Sequence, residues 1–206
     1  MKTLSEINEE LKALYGETSL DFTDKGAASG HSYIDFYSRY FDPKRSDVKL
    51  LEIGISSGGS ALLWSKYFEK YQIDAFDYLE NFASQTPFQE ELIRTPGVNL
   101  KFNKNSFDEE WAKTFPDNHY DFIIDDGDHY IASQWKTMLN YWPKLAVGGT
   151  YFVEDMLNHT AAEEYCMHLK IYFEDIKQDY SVETYLGRRI SEGRLDDIIV
   201  AITKKS

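Results

Sequence analysis

The residues best suited to chemistry are acidic side chains at the ends of two predicted strands. One strand, at 120–125 (YDFIID), leads into the segment 126–129 (DGDH), and the other, at 150–155 (TYFVED), ends in Glu154 and Asp155. If the two strands are neighbours in a parallel sheet, their carboxyl ends lie about 5 Å apart. Carboxylates brought so close repel each other unless a cation lies between them. The pattern therefore predicts a cation site at this edge of the sheet.

The candidate metal ligands are Asp126, Glu154 and Asp155, and an oxygen-only set suits Mg²⁺, Mn²⁺ or Ca²⁺ rather than zinc. A metal there could bind a substrate hydroxyl, lower its pKa and orient its oxygen. His129 is the candidate general base for that hydroxyl. Each residue also has a structural interpretation, with Asp128 and the pair at 154–155 as helix caps and His129 on the surface. Their joint occurrence at two strand ends favours the metal site.

A glycine-rich turn follows the predicted strand at 48–53 (VKLLEI) and allows three interpretations. A dinucleotide site needs a glycine where this chain has Ser56, because the backbone must approach the pyrophosphate, so NAD and FAD are disfavoured. The segment 54–58 (GISSG) matches the nucleophile elbow of hydrolases, which would make Ser56 a nucleophile. An elbow needs strands of the core sheet before it, whereas residues 1–47 look helical or irregular. The hydrolase stays open as an alternative.

The third interpretation is an adenosylmethionine-binding turn. Glu52 and Gly54, followed by the pair Gly58-Gly59, come directly after the strand in the pattern of such a turn. A cofactor without a pyrophosphate loses nothing from the serine between these glycines. Asp77 ends the next predicted strand, where a carboxylate can accept hydrogen bonds from ribose hydroxyls. The structural alternative is a tight turn of no function with a solvated Asp77.

Strand-like and helical patterns alternate through most of the chain. Strands are predicted at 48–53, 72–77, 98–102, 120–125 and 150–155, followed by a pair at 182–189 and 196–203. Helices are predicted at 4–15, 31–41, 61–71, 88–94, 107–114, 131–141 and 160–177. The order predicts an α/β fold: a Rossmann-like, doubly wound, mostly parallel seven-stranded sheet with a C-terminal antiparallel hairpin and N-terminal helices. We expect one domain over 1–206, with a helical cap at 1–45 and the core at 46–206.

Composition narrows the class of partner. The 206 residues carry 35 acidic and 22 basic side chains, for a formal charge of −13. Such a surface repels phosphate backbones and anionic membranes, so nucleic acid and membrane partners are disfavoured. One cysteine, Cys166, excludes an intrachain disulfide and a cysteine-based zinc site. No apolar run approaches the roughly 20 residues of a membrane span, so we expect a soluble, cytoplasmic protein with a neutral or cationic small substrate.

Taken in order, the motifs resemble the metal-dependent sugar O-methyltransferases, a group of class I S-adenosylmethionine enzymes that includes macrolide-sugar and rhamnosyl O-methyltransferases. The resemblance covers residues 20–155 and rests on TDKG (23–26), His31, Tyr33, Tyr37, LLEIGISSGGS (50–60), DFIIDDGDH (121–129) and GGTYFVED (148–155). The DDGxH and VED motifs are its most specific part. The compact length also resembles methyltransferase domains attached to glycosyltransferases in chloroviruses, large algal viruses that methylate capsid rhamnose, which would place the chain in the host cytoplasm.

The resemblance assigns roles to individual residues. Mg²⁺ or Mn²⁺ would be bound by Asp126, Glu154 and Asp155, and His129 would act as the base beside Asp126. S-adenosylmethionine would be held by residues from strand ends and loops: Lys25, Glu52, Gly54, Ser56, Asp77, Asn105, Ser106 and Asp125. His31 would lie near the cofactor or the substrate. The family often has serine where this chain has Asp128, which adds a negative charge beside the site.

The implied reaction is methylation of a sugar hydroxyl, on rhamnose or another deoxysugar of a glycan or glycoside. The implied partners are a small-molecule or glycan substrate, and either a second copy of the chain or a longer glycosyltransferase polypeptide. A non-catalytic S-adenosylmethionine-binding module is the further alternative that these motifs leave open.

Overall fold

The computed structural model describes residues 2–16, 18, 21–26 and 30–206. Its helices are α1 Leu4–Tyr15, α2 Ile34–Tyr37, α3 Gly59–Tyr67, α4 Gln89–Arg94, α5 Glu109–Lys113, α6 Ile131–Tyr141 and α7 His159–Ile176. Its strands are β1 Val48–Ile53, β2 Tyr71–Phe76, β3 Val98–Lys101, β4 Tyr120–Asp125, β5 Leu145–Val153, β6 Tyr180–Leu186 and β7 Ile198–Lys204. Every predicted strand and helix is present, with bounds that differ mainly at the ends.

Of the two N-terminal helices, one has the bounds that the sequence predicts and the other does not. Helix α1 has the predicted bounds because Thr3 and Glu6 form a capping box and its apolar face is buried. Helix α2 is shorter than the predicted helix at 31–41. The reason is tertiary: the N–H groups of His31 and Tyr33 donate to the backbone carbonyls of residues 24 and 25, at 2.7 and 2.8 Å. The chain is therefore irregular at residues 31–33, and the helix begins only at Ile34.

The chain divides into two compact units, residues 1–104 and 105–206. In the first unit the strands lie in the order β3-β2-β1, and both pairs are parallel. Ile53 pairs with Phe76 at the last register position of β1 and β2. The residues that follow these strands, Gly54 and Asp77, therefore leave the sheet at the same edge.

In the second unit the strands lie in the order β4-β5-β7-β6. Strands β4 and β5 are parallel, as predicted, whereas β7 is antiparallel to both β5 and β6. Strand β5 begins at Leu145, earlier than predicted, and the β4–β5 register shifts where Gly148 adopts a φ of 81°. It ends at Val153, so the acidic pair 154–155 follows the strand instead of closing it.

The C-terminal hairpin is confirmed, although its connection is longer than predicted. The residues predicted to finish the first of its strands form a short 3-10 helix, Arg188–Glu192, instead. Helix α6 begins two residues after His129, which therefore lies in the preceding loop.

The predicted fold class is confirmed: the chain has seven strands, mostly parallel, with an antiparallel C-terminal pair and flanking helices. The division into a cap at 1–45 and a single domain stays a prediction. Among the described residues, no helix is long and apolar enough to cross a membrane.

Candidate active site

The glycine turn after β1 is held by Asp77. One oxygen of its carboxylate accepts hydrogen bonds from the N–H groups of Ile55 and Ser56, at 2.6 and 2.9 Å, and the other accepts from the N–H of Leu79. Ser56 is exposed and has a φ of 49°, in the left-handed region. Each carboxylate oxygen has two lone pairs, so Asp77 can order the turn and still accept a ligand hydroxyl.

The third glycine of the turn, Gly59, has a steric role that the sequence did not reveal. A Cβ atom on Gly59 would lie 1.7 Å from the backbone carbonyl oxygen of Phe22. The same carbonyl accepts a hydrogen bond from the Ser57 hydroxyl at 2.9 Å. Gly59 therefore lets the chain at residue 22 pass directly over the start of α3, where a side chain would collide with backbone.

We expect Asp77→Asn to destabilise the protein, because an amide nitrogen would replace one of the two accepting oxygens and face backbone N–H donors. The expected loss is about 1–3 kcal/mol of unfolding free energy, measured by urea denaturation. Asp74→Asn on the same strand is the matched control, since the Asp74 carboxylate accepts from the side chains of Gln72 and Asn99. Its expected change is within about 0.5 kcal/mol. Equal losses in the two variants would contradict the assigned role.

The other predicted cofactor residues of the first unit are buried. Glu52 has no exposed surface, and its carboxylate accepts a hydrogen bond from the Trp64 ring nitrogen at 3.4 Å. Lys25 is 1% exposed. His31 is equally buried, stacks on Tyr33 with ring centroids 4.6 Å apart, and has Nε2 4.0 Å from Oδ2 of Asp24. The TDKG motif and His31 thus lie together, and their roles toward a cofactor stay predictions.

The structure brings three of the predicted catalytic and metal residues together in the second unit. Ligand atoms of Asp126, His129 and Asp155 all lie within 4.8 Å of one another. Nε2 of His129 is 3.8 Å from Oδ2 of Asp155, and the two side chains are 43% and 11% exposed. The two carboxylates are oxygen donors of the kind that a hard divalent cation prefers, with room for further oxygen ligands, and the accessible imidazole beside them is the predicted base. The donor set therefore suits Mg²⁺ or Mn²⁺.

Glu154, the third predicted ligand, is outside this cluster. It is buried, its N–H donates to the Asp125 carbonyl at 3.0 Å, and its own carbonyl accepts from the Gln134 amide at 2.9 Å. Asp155 then adopts a φ of 53°, a left-handed conformation that non-glycine residues seldom take. The backbone thus turns sharply after β5, between a buried carboxylate and a more accessible one. Neither serves as the cap of α7, which is Asn158.

Asp125 ends β4 with a fully buried carboxylate that accepts a hydrogen bond from the Tyr151 hydroxyl at 3.2 Å. Burial raises the pKa of Asp125 to about 8, and the neighbouring carboxylates of Asp126 and Asp128 add to the rise. Hydrogen bonds from Tyr151 and the Gly127 N–H oppose it. A bound cation nearby would favour the ionised form.

The loop after β3 contains Asn105 and Ser106, two of the predicted cofactor residues. The Asn105 side chain accepts from the Phe107 N–H at 2.9 Å, and the Ser106 hydroxyl bonds to the Thr137 hydroxyl at 3.0 Å. The Asn140 amide donates to the Ser106 carbonyl at 2.9 Å. Helix α6 therefore fixes this loop, and Asn105 is exposed.

Asp128 lies just before α6 but is not the cap of that helix that the structural interpretation predicted, because the N-cap is Tyr130. Its carboxylate accepts from the Tyr130 N–H at 3.2 Å and from the Ser133 hydroxyl at 3.0 Å. Its charge is thereby tied to the start of α6, where the helix dipole favours it.

Two supporting residues, Tyr151 and Gln134, were missed by the sequence analysis. Gln134 lies on the buried face of α6 with Thr137, Met138 and Tyr141. A polar residue in an apolar stripe at helical spacing was the available signal. Tyr151 gave a weaker one, because tyrosine is common in buried strands whatever its hydroxyl does.

A family model described as "Methyltransferase domain" matches residues 51–156, which include the glycine turn, Asp77 and the acidic cluster. The chain belongs to this family. The prediction of a methyltransferase is thus confirmed, and the hydrolase interpretation of Ser56 is wrong. The described residues before Val48 contain no strand that could precede an elbow, in agreement with that result.

The methyltransferase resembles curated relatives from actinomycetes. Mycinamicin VI 2''-O-methyltransferase of Micromonospora griseorubida is 29% identical over 134 residues. A tetracenomycin-C rhamnosyl 3'-O-methyltransferase of Streptomyces olivaceus (8-demethyl-8-(2-methoxy-alpha-L-rhamnosyl)-tetracenomycin-C 3'-O-methyltransferase) is 26% identical over 136 residues. Each alignment covers 61% of this chain, and the chain spans about a third of these relatives, 32% of each.

Solved structures agree on the fold. MycE methyltransferase from the mycinamycin biosynthetic pathway, in complex with Mg, SAH and mycinamycin VI, has a TM-score of 0.69 and 19% identity. The match covers 99% of this methyltransferase and 54% of that chain. CurJ carbon methyltransferase has a TM-score of 0.60 and 13% identity, over 98% of this chain and 59% of its own. The likeness extends over both units.

Proposed function

We propose that the methyltransferase transfers the methyl group of S-adenosylmethionine to a sugar hydroxyl, with a divalent metal, Mg²⁺ or Mn²⁺, at the acidic cluster. The observation that carries the proposal is the grouping of Asp126, His129 and Asp155 within 4.8 Å, directly after neighbouring parallel strands. Carboxylates for a cation and an accessible imidazole suit deprotonation of a hydroxyl. The relatives that align with 61% of this chain are named as O-methyltransferases of glycosides, which supports a sugar hydroxyl as acceptor, with rhamnose or another deoxysugar first.

The first unit would bind the cofactor. Gly54, Ser56 and Asp77 lie where β1 and β2 end, and Oδ1 of Asp77 keeps one lone pair for a ribose hydroxyl. Tyr78 and Leu79 follow it with 72% and 40% of their surfaces exposed. They offer apolar area on which an adenine ring can pack. Glu52, enclosed in the core, would support this turn from beneath.

The second unit would hold the metal and the base. Asp126 and Asp155 would bind the ion, and Glu154 stays a predicted third ligand. The bound ion would lower the pKa of a coordinated hydroxyl and fix its oxygen. His129 Nε2 would take the hydroxyl proton while the oxygen attacks the methyl carbon. The new C–O bond would form as the C–S bond breaks. The electron pair of the C–S bond would stay on sulfur, so that S-adenosylhomocysteine leaves. Positioning supplies much of the acceleration, because the sulfonium is already activated.

We expect EDTA to abolish methyl transfer without abolishing cofactor binding, since none of the predicted metal ligands is a predicted cofactor residue. Calorimetric titration of S-adenosylmethionine and S-adenosylhomocysteine, with Mg²⁺ and then with EDTA, measures the first quantity. Transfer of radiolabelled methyl to a rhamnoside measures the second, and Mg²⁺ added back should restore it. Full transfer in EDTA would reject the metal. No cofactor binding under either condition would reject the proposed reaction.

The non-catalytic alternative is tested by the same preparation. A binding module would bind S-adenosylmethionine yet transfer no methyl group to any glycoside of a broad acceptor panel. The accessible His129 beside two carboxylates favours the enzyme, because a module that only binds the cofactor has no use for a base at the end of β4.

A further inference from the structure

The predicted metal ligand Asp155 lies in a turn whose backbone is fixed by three hydrogen bonds within the second unit. Directly after β5, the Glu154 N–H donates to the carbonyl at the end of β4, at 3.0 Å, and the Met156 N–H donates to the carbonyl at the start of β7, at 3.2 Å. Between them, the Glu154 carbonyl accepts from Nε2 of Gln134 at 2.9 Å. The first two bonds join backbone groups, whereas the third depends on the side chain at position 134.

The Gln134 contact acts on the peptide group that sets the conformation of Asp155. A peptide group is planar, so the Glu154 carbonyl and the Asp155 N–H turn together. Rotation of that plane changes φ of Asp155, which is 53°. A left-handed φ is strained for a residue other than glycine and persists only where its surroundings hold it. A hydrogen bond that fixes the carbonyl therefore keeps Asp155 in this conformation.

Packing alone does not account for a glutamine at this position. Gln134 is 1% exposed and lies on the buried face of α6 with Met138 and Tyr141. No described residue donates a hydrogen bond to its buried Oε1 atom. A buried acceptor without a donor is unfavourable, so an apolar side chain would suit a purely packing role better. The amide is accounted for by its donor, which satisfies the carbonyl of the buried Glu154.

The conformation of Asp155 decides where its carboxylate lies. Its Oδ2 is 3.8 Å from Nε2 of His129, and ligand atoms of both residues lie within 4.8 Å of Asp126. A change of φ at Asp155 turns its Cα–Cβ bond relative to the preceding chain. The carboxylate would then leave the cluster.

We propose that Gln134 is a positioning residue for the divalent cation: it acts through the backbone and holds the Asp155 carboxylate in the cluster. The inference rests on the proposed function, because it takes the cluster as the metal site. Without the Gln134 donor, the peptide between Glu154 and Asp155 is free to rotate out of its strained conformation. Metal binding is then weakened although every carboxylate of the cluster is still present.

The test measures metal binding directly, with Mn²⁺ as the probe. Electron paramagnetic resonance reports the free Mn²⁺ during a titration of the full chain, and the binding that counts is the part that Asp126→Asn abolishes. Gln134→Met replaces the amide with an apolar side chain of similar length. We expect its Mn²⁺ dissociation constant to rise about 10–100-fold, the usual effect of losing an outer-shell partner. The affinity for S-adenosylmethionine should stay the same, and excess Mg²⁺ should restore the wild-type kcat.

Thr150→Val is the matched control. Thr150 is 3% exposed on β5, the strand before the turn, and its hydroxyl shares a 3.0 Å hydrogen bond with the Thr203 hydroxyl. Both Thr150→Val and Gln134→Met lose a buried hydrogen bond, so both should melt at a lower temperature, but the control should keep the wild-type Mn²⁺ affinity. Gln134→Asn keeps the amide on a shorter side chain. It should show an intermediate loss of Mn²⁺ affinity, and it carries the test if Gln134→Met does not fold.

The outcomes separate this inference from the proposed reaction. Wild-type Mn²⁺ affinity in the Gln134 variants would overturn the inference and leave the reaction standing. An equal loss of affinity in Thr150→Val would also overturn it, because the effect would then follow stability alone. If Asp126→Asn abolishes no Mn²⁺ binding, the inference and the metal of the proposed reaction are rejected together. Weaker Mn²⁺ binding in the Gln134 variants alone supports the inference even if no methyl group is transferred to a rhamnoside.

Discussion

Replacing Asp126 with asparagine should remove methyl transfer together with its response to Mg²⁺, and should leave the affinity for S-adenosylmethionine unchanged. Asp126 is one of two carboxylates in the cluster with His129. Loss of its charge leaves Asp155 as the remaining anionic ligand there. Changes in outer-shell partners of a metal already cost 10–100-fold in affinity, so loss of a direct ligand should cost about 100-fold or more. Transfer should fall at least in proportion at low Mg²⁺.

Asp128→Asn is the matched control for that experiment, since it removes the same charge two residues away. Asparagine can still accept from the Tyr130 N–H and can exchange a hydrogen bond with Ser133. The control should therefore keep the start of α6 and most of the activity. Mg²⁺ affinity is read from the metal dependence of transfer, and cofactor affinity from calorimetry. If both variants lose activity equally, activity depends on the total negative charge of the acidic residues, and a specific role of Asp126 as a metal ligand is excluded.

The cluster was predictable from sequence because its positions depend on local patterns. Strands β4 and β5 are largely apolar runs, and acidic residues follow each of them. Because the two strands pair in parallel, the chain at Asp126 lies beside the chain at Glu154. Which of Glu154 and Asp155 faces the cluster was not predictable. That choice depends on the left-handed turn at Asp155 and on the Gln134 amide, which binds the Glu154 carbonyl from another helix.

The glycine turn likewise has features that the sequence predicts and one that it does not. Its place after β1 and its partner Asp77 follow from the alternation of strands and helices. The reason for Gly59 does not, because it is the carbonyl of Phe22, a residue far away in sequence, that excludes a side chain there. The predicted start of α2 at His31 is wrong for a related reason. His31 donates its N–H to the Asp24 carbonyl, and the helix begins only at Ile34. Local propensity cannot anticipate such tertiary hydrogen bonds.

Replacing His129 with alanine should lower kcat by about 10²–10⁴-fold, the usual contribution of a general base, while the affinities for S-adenosylmethionine and Mg²⁺ stay the same. The second condition is needed because the geometry also allows a different role. His129 Nε2 lies 3.8 Å from Asp155 Oδ2, so the imidazole could itself be a metal ligand. The two roles predict different effects of the substitution. Loss of a metal ligand raises the Mg²⁺ concentration needed for half-maximal rate, whereas loss of the base lowers kcat at saturating Mg²⁺.

Chemical rescue separates the two roles further. The His129 side chain is 43% exposed, so the space left by alanine is open to small molecules. Added imidazole should restore part of kcat if His129 takes the proton from the acceptor. His168→Gln is the control, since His168, on α7, packs against Trp135, on α6, and lies outside the cluster. A normal kcat in His129→Ala would exclude the base. A defect that excess Mg²⁺ alone repairs would reassign His129 as a ligand, and the proton would then have to leave through one of the carboxylates.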